Sequence, residues 1–241
     1  MSKSLKIFLL GIGVFLLFVL FSYIVHRNHL MQFDFDTTVK LQDRIPRKFD
    51  ASFSFLSDFG KFEVMTVLLL IIFLVTRKLW SVIALAGYGA MHIFELYGKY
   101  FVNHPPPPEF MIRTEKIVQF PQFYIRSAFS YPSGHAARAS FISVILGYMV
   151  LSSKRLSDNQ KYVLLGCLVI YDVVMFVSRI YLGEHWATDV IGGALLGSAF
   201  ALGAVAFGKI RNNKQHVRVF SPFTRYNHSN GRAGLGPEVA V

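Results

Sequence analysis

Apolar residues in this chain come in uninterrupted blocks, and that feature constrains the fold more than any other. The first block, LKIFLLGIGVFLLFVLFSYIV (residues 5–25), carries one charge, Lys6. About 20 apolar residues in a helix are long enough to cross the hydrocarbon core of a bilayer. A helix that is apolar on all sides has no face to offer to water. Similar blocks at roughly 62–76, 80–102, 135–152, 161–181 and 185–207 bring the number of expected spans to six. Composition agrees: 53% of residues are hydrophobic and 16% charged, against about 25% charged in soluble domains. The expected fold class is all-α: an integral membrane six-helix transmembrane bundle. Lys3 and Lys6 stand at the head of the first block, as in a signal peptide. The block is too long for a typical signal core and lacks a small-residue cleavage site, so a retained first helix is expected.

Between the first two blocks lies QFDFDTTVKLQDRIPRKFDASFSFLSDFG (32–60), in which phenylalanines alternate with charges. That pattern suits an interfacial segment between helices 1 and 2. The four prolines of HPPPPEF (104–110) dictate an extended loop after the third block. Residues 1–207 read as one membrane domain and 208–241 as a basic, disordered cytoplasmic tail. The net charge of +11 is spread over loops and tail, which fits anionic lipid headgroups better than nucleic acid. Basic residues in the short connections, Arg77–Lys78 and Lys154–Lys161, favour both termini in the cytoplasm. Cys167 sits within an apolar run and is expected as a small core residue. Asp172, His92 and Glu95 lie within spans, where a structural partner on a neighbouring helix is expected.

Alternation of spans brings helix ends together. The third span ends near Lys99, the fourth begins near His135, the fifth ends near Arg179 and the sixth begins at His185. All should share one membrane surface, the outer one under this orientation. Lys99 and Arg179 supply cationic donors for phosphate oxygens. Ser133 and Gly134 precede a helix start, whose free amides favour an anion; taken alone, PSGH reads as an ordinary capped turn. His185 and Asp189 are four residues apart, so the carboxylate can orient the imidazole. A metal site from His135, His185 and Asp189 is the rival chemistry, disfavoured by the adjacent Lys99 and Arg179; no metal or cofactor is expected.

PSGH (132–135) followed by SRIYLGEHWATD (178–189) is similar to the second and third motifs of the type 2 phosphatidic acid phosphatase family. Ser178, Arg179, His185 and Asp189 occupy every fixed position of the third motif, and the resemblance covers roughly residues 60–207. It implies a six-helix membrane phosphatase acting on lipid phosphates or polyprenyl pyrophosphates without metal. His185 would be the nucleophile that forms a phosphohistidine, Asp189 its holder, and His135 the acid and base. Lys99, Ser133, Gly134 and Arg179 would bind phosphate. The haloperoxidases that use vanadate have a site of this type, but they are typically soluble, and six spans argue against them. One position departs from the family: Pro106 stands where the first motif has arginine. Loss of such a donor costs about 2–4 kcal/mol of transition-state stabilisation. Arg113, Arg126 and Arg138 are candidate substitutes; Arg138, one turn beyond His135, is preferred. The alternative reading is a noncatalytic lipid-phosphate-binding relative. The partners expected are a lipid phosphate substrate and membrane lipids. Headgroup choice and oligomeric state are not written in the sequence.

Overall fold

The computed structural model describes residues 2–76, 79–115 and 129–219, and within them every regular element is helical. Eight α-helices follow in order: α1 (Lys3–His26), α2 (Met31–Arg44), α3 (Asp50–Asp58), α4 (Phe62–Thr76), α5 (Leu79–Phe101), α6 (Gly134–Ser152), α7 (Asp158–Tyr181) and α8 (Ala187–Val219). Local chemistry sets several ends. Ser2 caps α1 by accepting from the Leu5 amide at 3.2 Å. Ser157 and Gln160 form a reciprocal capping box at the start of α7, with the Ser157 amide donating to Gln160 Oε1 at 2.9 Å. Beyond α5 the run Pro105–Pro108 forbids further helix.

Four helices are long and apolar enough to cross a membrane: α1, α6, α7 and α8, the last over Ala187–Gly208. A fifth candidate is the bent pair Arg47–Asp58 and Phe62–Thr76, with a 42° break at Phe59–Lys61. The block expected at 62–76 is α4, and across the bend α3 extends it towards the N-terminus. The expected interfacial segment is helical too. Phe33 and Phe35 of α2 and Phe55 of α3 point outward, with Phe49 and Phe59 beside them.

α8 is the central helix and packs against α1, α5 and α6, while α6 also packs against α7. The α6–α8 seam is close because it is lined with small residues. A Cβ at Gly197 would run into the carbonyl of Ala137, and one at Gly193 into the carbonyl of Ser133. Helices that meet in lipid gain little from hydrophobic transfer, so such close backbone contact supplies the attraction. Phe18, Met91, Tyr131, Phe141, Ile145 and Leu196 fill the core between α1, α5, α6 and α8.

Of the polar residues inside spans, Asp172 and Glu95 have the cross-helix partners expected of them, Ser143 and Arg138, whereas His92 pairs within its own helix. Asp172 of α7 accepts from Ser143 Oγ of α6 at 2.8 Å. His92 and Glu95 lie 2.8 Å apart on α5. Two expectations need correction. Cys167 is exposed, not buried, because α7 turns that face away from the bundle. The helical chain also does not stop at 207: α8 runs on to Val219, into the segment expected to be a disordered tail, of which residues 220–241 lie outside the described residues.

The α6–α8 seam makes a contrast that can be measured. Gly197→Val should lower the stability of the detergent-solubilised protein by about 1–3 kcal/mol, the usual cost of overpacking. Gly166→Val on the exposed face of α7, where a Cβ meets nothing within 4 Å, should leave the thermal midpoint unchanged.

Candidate active site

Four helix ends meet at one end of the bundle: the last turns of α5 and α7 and the first turns of α6 and α8. Local sequence makes the junctions sharp. α7 closes at Leu182, and Gly183 takes the left-handed conformation (φ 69°). A Cβ there would strike the carbonyl of Met111, so only glycine fits this helix stop. The turn folds back on itself: the Arg179 carbonyl accepts from the amides of Glu184 and His185, both at 3.2 Å. Arg179 and His185 are thereby placed side by side. The start of α6 is constrained in a similar way. A Cβ at Gly134 would collide with the Glu95 carboxylate and sit 2.8 Å from an Arg138 guanidinium nitrogen. Glycine at this position lets α5 approach the first turn of α6.

Asp189 joins the two histidine-bearing helix starts. Its backbone carbonyl accepts from the Ser133 amide at 2.9 Å. Its carboxylate is fully buried; Oδ2 accepts from the Trp186 amide at 3.0 Å and faces His185 Nδ1 at 3.2 Å. A carboxylate only accepts, so Nδ1 of His185 carries the proton and Nε2 keeps its lone pair. Burial holds His185 below the usual imidazole range, and the charges of Arg179 and Lys99 push the same way, against the pull of Asp189. The ring is therefore neutral at neutral pH, with a nucleophilic nitrogen available. His135 stands at the second position of α6, beneath Gly60: a Cβ on that glycine would lie 2.8 Å from the His135 ring. Arg179, Arg138 and Lys99 place positive charge around His135.

Arg179 is almost fully buried. One terminal nitrogen bonds Ser57 Oγ of α3, the other lies 2.5 Å from Glu184 Oε2, and Nε is buried with no partner among the described residues. Ser133 Oγ is likewise buried and has no partner among the described residues. Two orphaned polar atoms near a histidine pair are unusual in a native fold and mark a place for a polar ligand. Lys99, half-buried, ends α5 within the field of Glu95, Asp189, Arg138 and Arg179.

All of the expected site residues are brought to this end of the bundle, but Arg138 is not free. Its Nε donates to the Gly60 carbonyl at 3.0 Å and its NH1 lies 3.5 Å from Glu95 Oε2. Arg113 reaches the Gln42 carbonyl at 3.1 Å and stacks on Tyr181, forming part of the loop wall. Arg126 lies outside the described residues, and Pro106 is exposed.

Several participants were not found by sequence reasoning. Ser57 and Gly60 come from the interfacial segment, which forms a wall of the site. Glu184 engages Arg179 and also accepts from Thr114 Oγ1 at 2.5 Å. His104 lies 2.8 Å from Asp189 Oδ1, and Asp34 of α2 stands behind it, 3.4 Å from its other ring nitrogen. The only hint of these last two was their setting, a histidine opening a proline run and an aspartate between outward phenylalanines.

A sequence profile of the PAP2 superfamily matches residues 75–213, more than half of the chain. The chain belongs to the PAP2 superfamily. Within PAP2 proteins it is similar to an undecaprenyl-diphosphatase of Sulfolobus acidocaldarius, 35% identical over 147 residues, or 60% of this chain and 63% of that one. It is also similar to phosphatidylglycerophosphatase B of Bacillus subtilis, 32% identical over 97 residues, or 39% of this chain and 43% of that one. These matches span less than two thirds of either relative. Among solved structures, the first transmembrane PAP2 type phosphatidylglycerolphosphate phosphatase of Bacillus subtilis superposes with a TM-score of 0.67 at 20% identity, covering 84% of this chain and 96% of that one. Aquifex aeolicus LpxE superposes at 0.55 and 22% identity, covering 72% and 94%. At these identities the likeness establishes the fold, that of an integral membrane PAP2 protein.

The Arg179–Glu184 pair gives the site a measurable acid response. Arg179 above all holds the Glu184 carboxyl down at about 2, against an ordinary 4.5. Its contribution to stability is present above pH 4.5 and is lost as pH falls towards 2. Glu184→Gln should cost about 1 kcal/mol at neutral pH and flatten that acid limb, read as thermal midpoints across pH in detergent.

Proposed function

We propose that this chain is a membrane-embedded phosphatase of lipid phosphates or polyprenyl pyrophosphates, acting at the extracytoplasmic face through a phosphohistidine on His185. The observation that carries the reading is the setting of His185: its Nδ1 faces Asp189 Oδ2 at 3.2 Å, and it shares one buried corner with His135, Arg179 and Lys99. A metal-free phosphoryl transfer needs a nucleophile with a free lone pair, a proton donor and fixed positive charge. In this reading His185, His135 and the cations Arg179 and Lys99 fill these three roles.

In the first step Nε2 of His185 attacks phosphorus and the bond to the leaving oxygen breaks. That oxygen takes a proton from His135, whose cationic form is favoured once a phosphate dianion has arrived. Asp189 stabilises the positive charge that builds on His185. In the second step His135 takes a proton from water, the water oxygen attacks phosphorus, the P–N bond breaks and inorganic phosphate leaves. Lys99, Arg179, Ser133 and the first-turn amides at Gly134 bind the phosphate oxygens. The unpaired Arg179 Nε and Ser133 Oγ are suited to that task. Arg138 adds positive charge from beneath Gly134, partly offset by Glu95. In this reading α5 is the sixth span, both termini are cytoplasmic, and the substrate is a membrane lipid.

A noncatalytic lipid-phosphate binder is the second reading, favoured by Pro106 in place of the arginine. Purified protein in detergent should release phosphate from a short-chain phosphatidic acid or farnesyl pyrophosphate. His185→Ala should reduce that rate by about 10³-fold or more, and EDTA should leave it unchanged. Binding without release supports the binder, and loss in EDTA restored by zinc removes the metal-free mechanism. If Arg138 supports the phosphate, Arg138→Ala should lower kcat by about 10²-fold while Arg113→Ala stays within a few-fold. Equal rates in the two variants would discard Arg138.

A further inference from the structure

Behind the nucleophile stands a line of buried groups that the hydrolytic steps do not use. His104 lies with Nδ1 2.8 Å from Asp189 Oδ1 and Nε2 3.4 Å from Asp34 Oδ2. Asp34 is in turn bound by Thr188, whose amide donates at 2.8 Å and whose hydroxyl donates at 2.7 Å. Asp34, His104 and Asp189 are all at most 1% exposed. The loop that carries His104 is fixed around it: its carbonyl accepts from the Ser130 amide at 3.0 Å, and the next carbonyl, of Pro105, accepts from Trp186 Nε1 at 2.8 Å.

We propose that His104 is a positioning residue for the reaction. It clamps the Asp189 carboxylate between itself and His185, with Asp34 of the interfacial helix α2 as the anchor of the clamp. The proposal rests on the reading of His185 as nucleophile. Its physical basis is donor and acceptor matching. Two buried carboxylates flank one imidazole, and a carboxylate can only accept. With both carboxylates ionised, a proton on each nitrogen of His104 is the arrangement that matches this geometry, and the ring is then an imidazolium. Asp34, His104 and Asp189 then sum to one negative charge, as a lone aspartate would, but with the plane of Asp189 fixed from both sides. The charged groups facing His104 are Asp34 from α2 and Asp189 from α8; His185 and Lys99 face Asp189 in turn. Burial disfavours the charged ring, but the hydrogen bonds and charges of Asp189 and Asp34 outweigh it and push His104 up to about 9.

One consequence concerns α2. Phe33 and Phe35 point out of the protein while Asp34, between them, points in. The helix that carries these outward phenylalanines is thus linked, through His104, to the Asp189 carboxylate.

Two amide substitutions separate positioning from mere structural support. The side-chain NH2 of asparagine falls near Nδ1 of the histidine it replaces, and that of glutamine near Nε2. His104→Asn keeps the donor to Asp189, whereas His104→Gln keeps the donor to Asp34. The proposal expects His104→Asn to retain kcat within about tenfold and His104→Gln to lose roughly 10²-fold, the scale of a misplaced reacting group, with KM little changed in either. Equal kcat in the two variants, or full kcat in His104→Gln, overturns it. Nitrogen-15 imidazole spectra of the full-length protein provide a readout independent of turnover. His104 should be doubly protonated at pH 7, and His185 should hold its single proton on Nδ1 in wild type and His104→Asn but exchange tautomers in His104→Gln. A neutral His104 at pH 7, or an unchanged His185 tautomer in His104→Gln, overturns the clamp even if wild type releases no phosphate. Absence of phosphate release from wild type alone speaks against the phosphatase reading instead.

Discussion

The structure of the polar end of this protein depends on one buried carboxylate. Asp189 has no solvent of its own, so each of its acceptor sites must be met from within the protein. They are met by His185, His104 and the Trp186 amide, while its carbonyl takes the Ser133 amide. These bonds join the start of α8 to the start of α6, to the loop after α5 and, through Asp34, to α2. The two histidines that phosphoryl transfer would require are held in register by the same residue that orients one of them.

That arrangement requires helices to approach one another closely, and glycine makes it possible. Gly193 and Gly197 let α8 lie against the carbonyls of α6; Gly134 admits Glu95; Gly60 lies over the His135 ring; Gly183 turns α7 back towards α8. In a bilayer, where apolar side chains gain little by leaving lipid for protein, contact of this kind carries much of the helix–helix attraction. The precision of the site and the stability of the bundle thus draw on the same small residues. The bend at Phe59–Lys61 serves both as well, since it brings the Gly60 carbonyl to Arg138 and Ser57 to Arg179.

Much of this was readable in advance. The apolar blocks predicted helices over nearly the observed ranges, and the alternation of spans predicted that Lys99, His135, Arg179, His185 and Asp189 would meet. Other features were not readable. Cys167 was expected inside because it is apolar, yet in a membrane protein apolar residues face lipid as readily as core. Arg138 was expected to be available because helical spacing put it near His135, but spacing along one helix does not reveal that Glu95 on another already engages it. His104 and Asp34 carry no motif at all. They lie 70 residues apart, and each has a bland local explanation, a loop histidine and a surface aspartate.

By itself, then, the sequence determined the all-helical membrane class and the residue types at the polar end of the bundle, because hydropathy and short motifs are properties of neighbouring residues. Only the tertiary structure decided which charges are free and which are paired, and that the interfacial segment is a wall of the site. It also decided that His104 stands behind Asp189, 2.8 Å from its carboxylate. Those outcomes depend on distances between helices, which follow from side-chain packing across the whole bundle and leave no local trace in the chain.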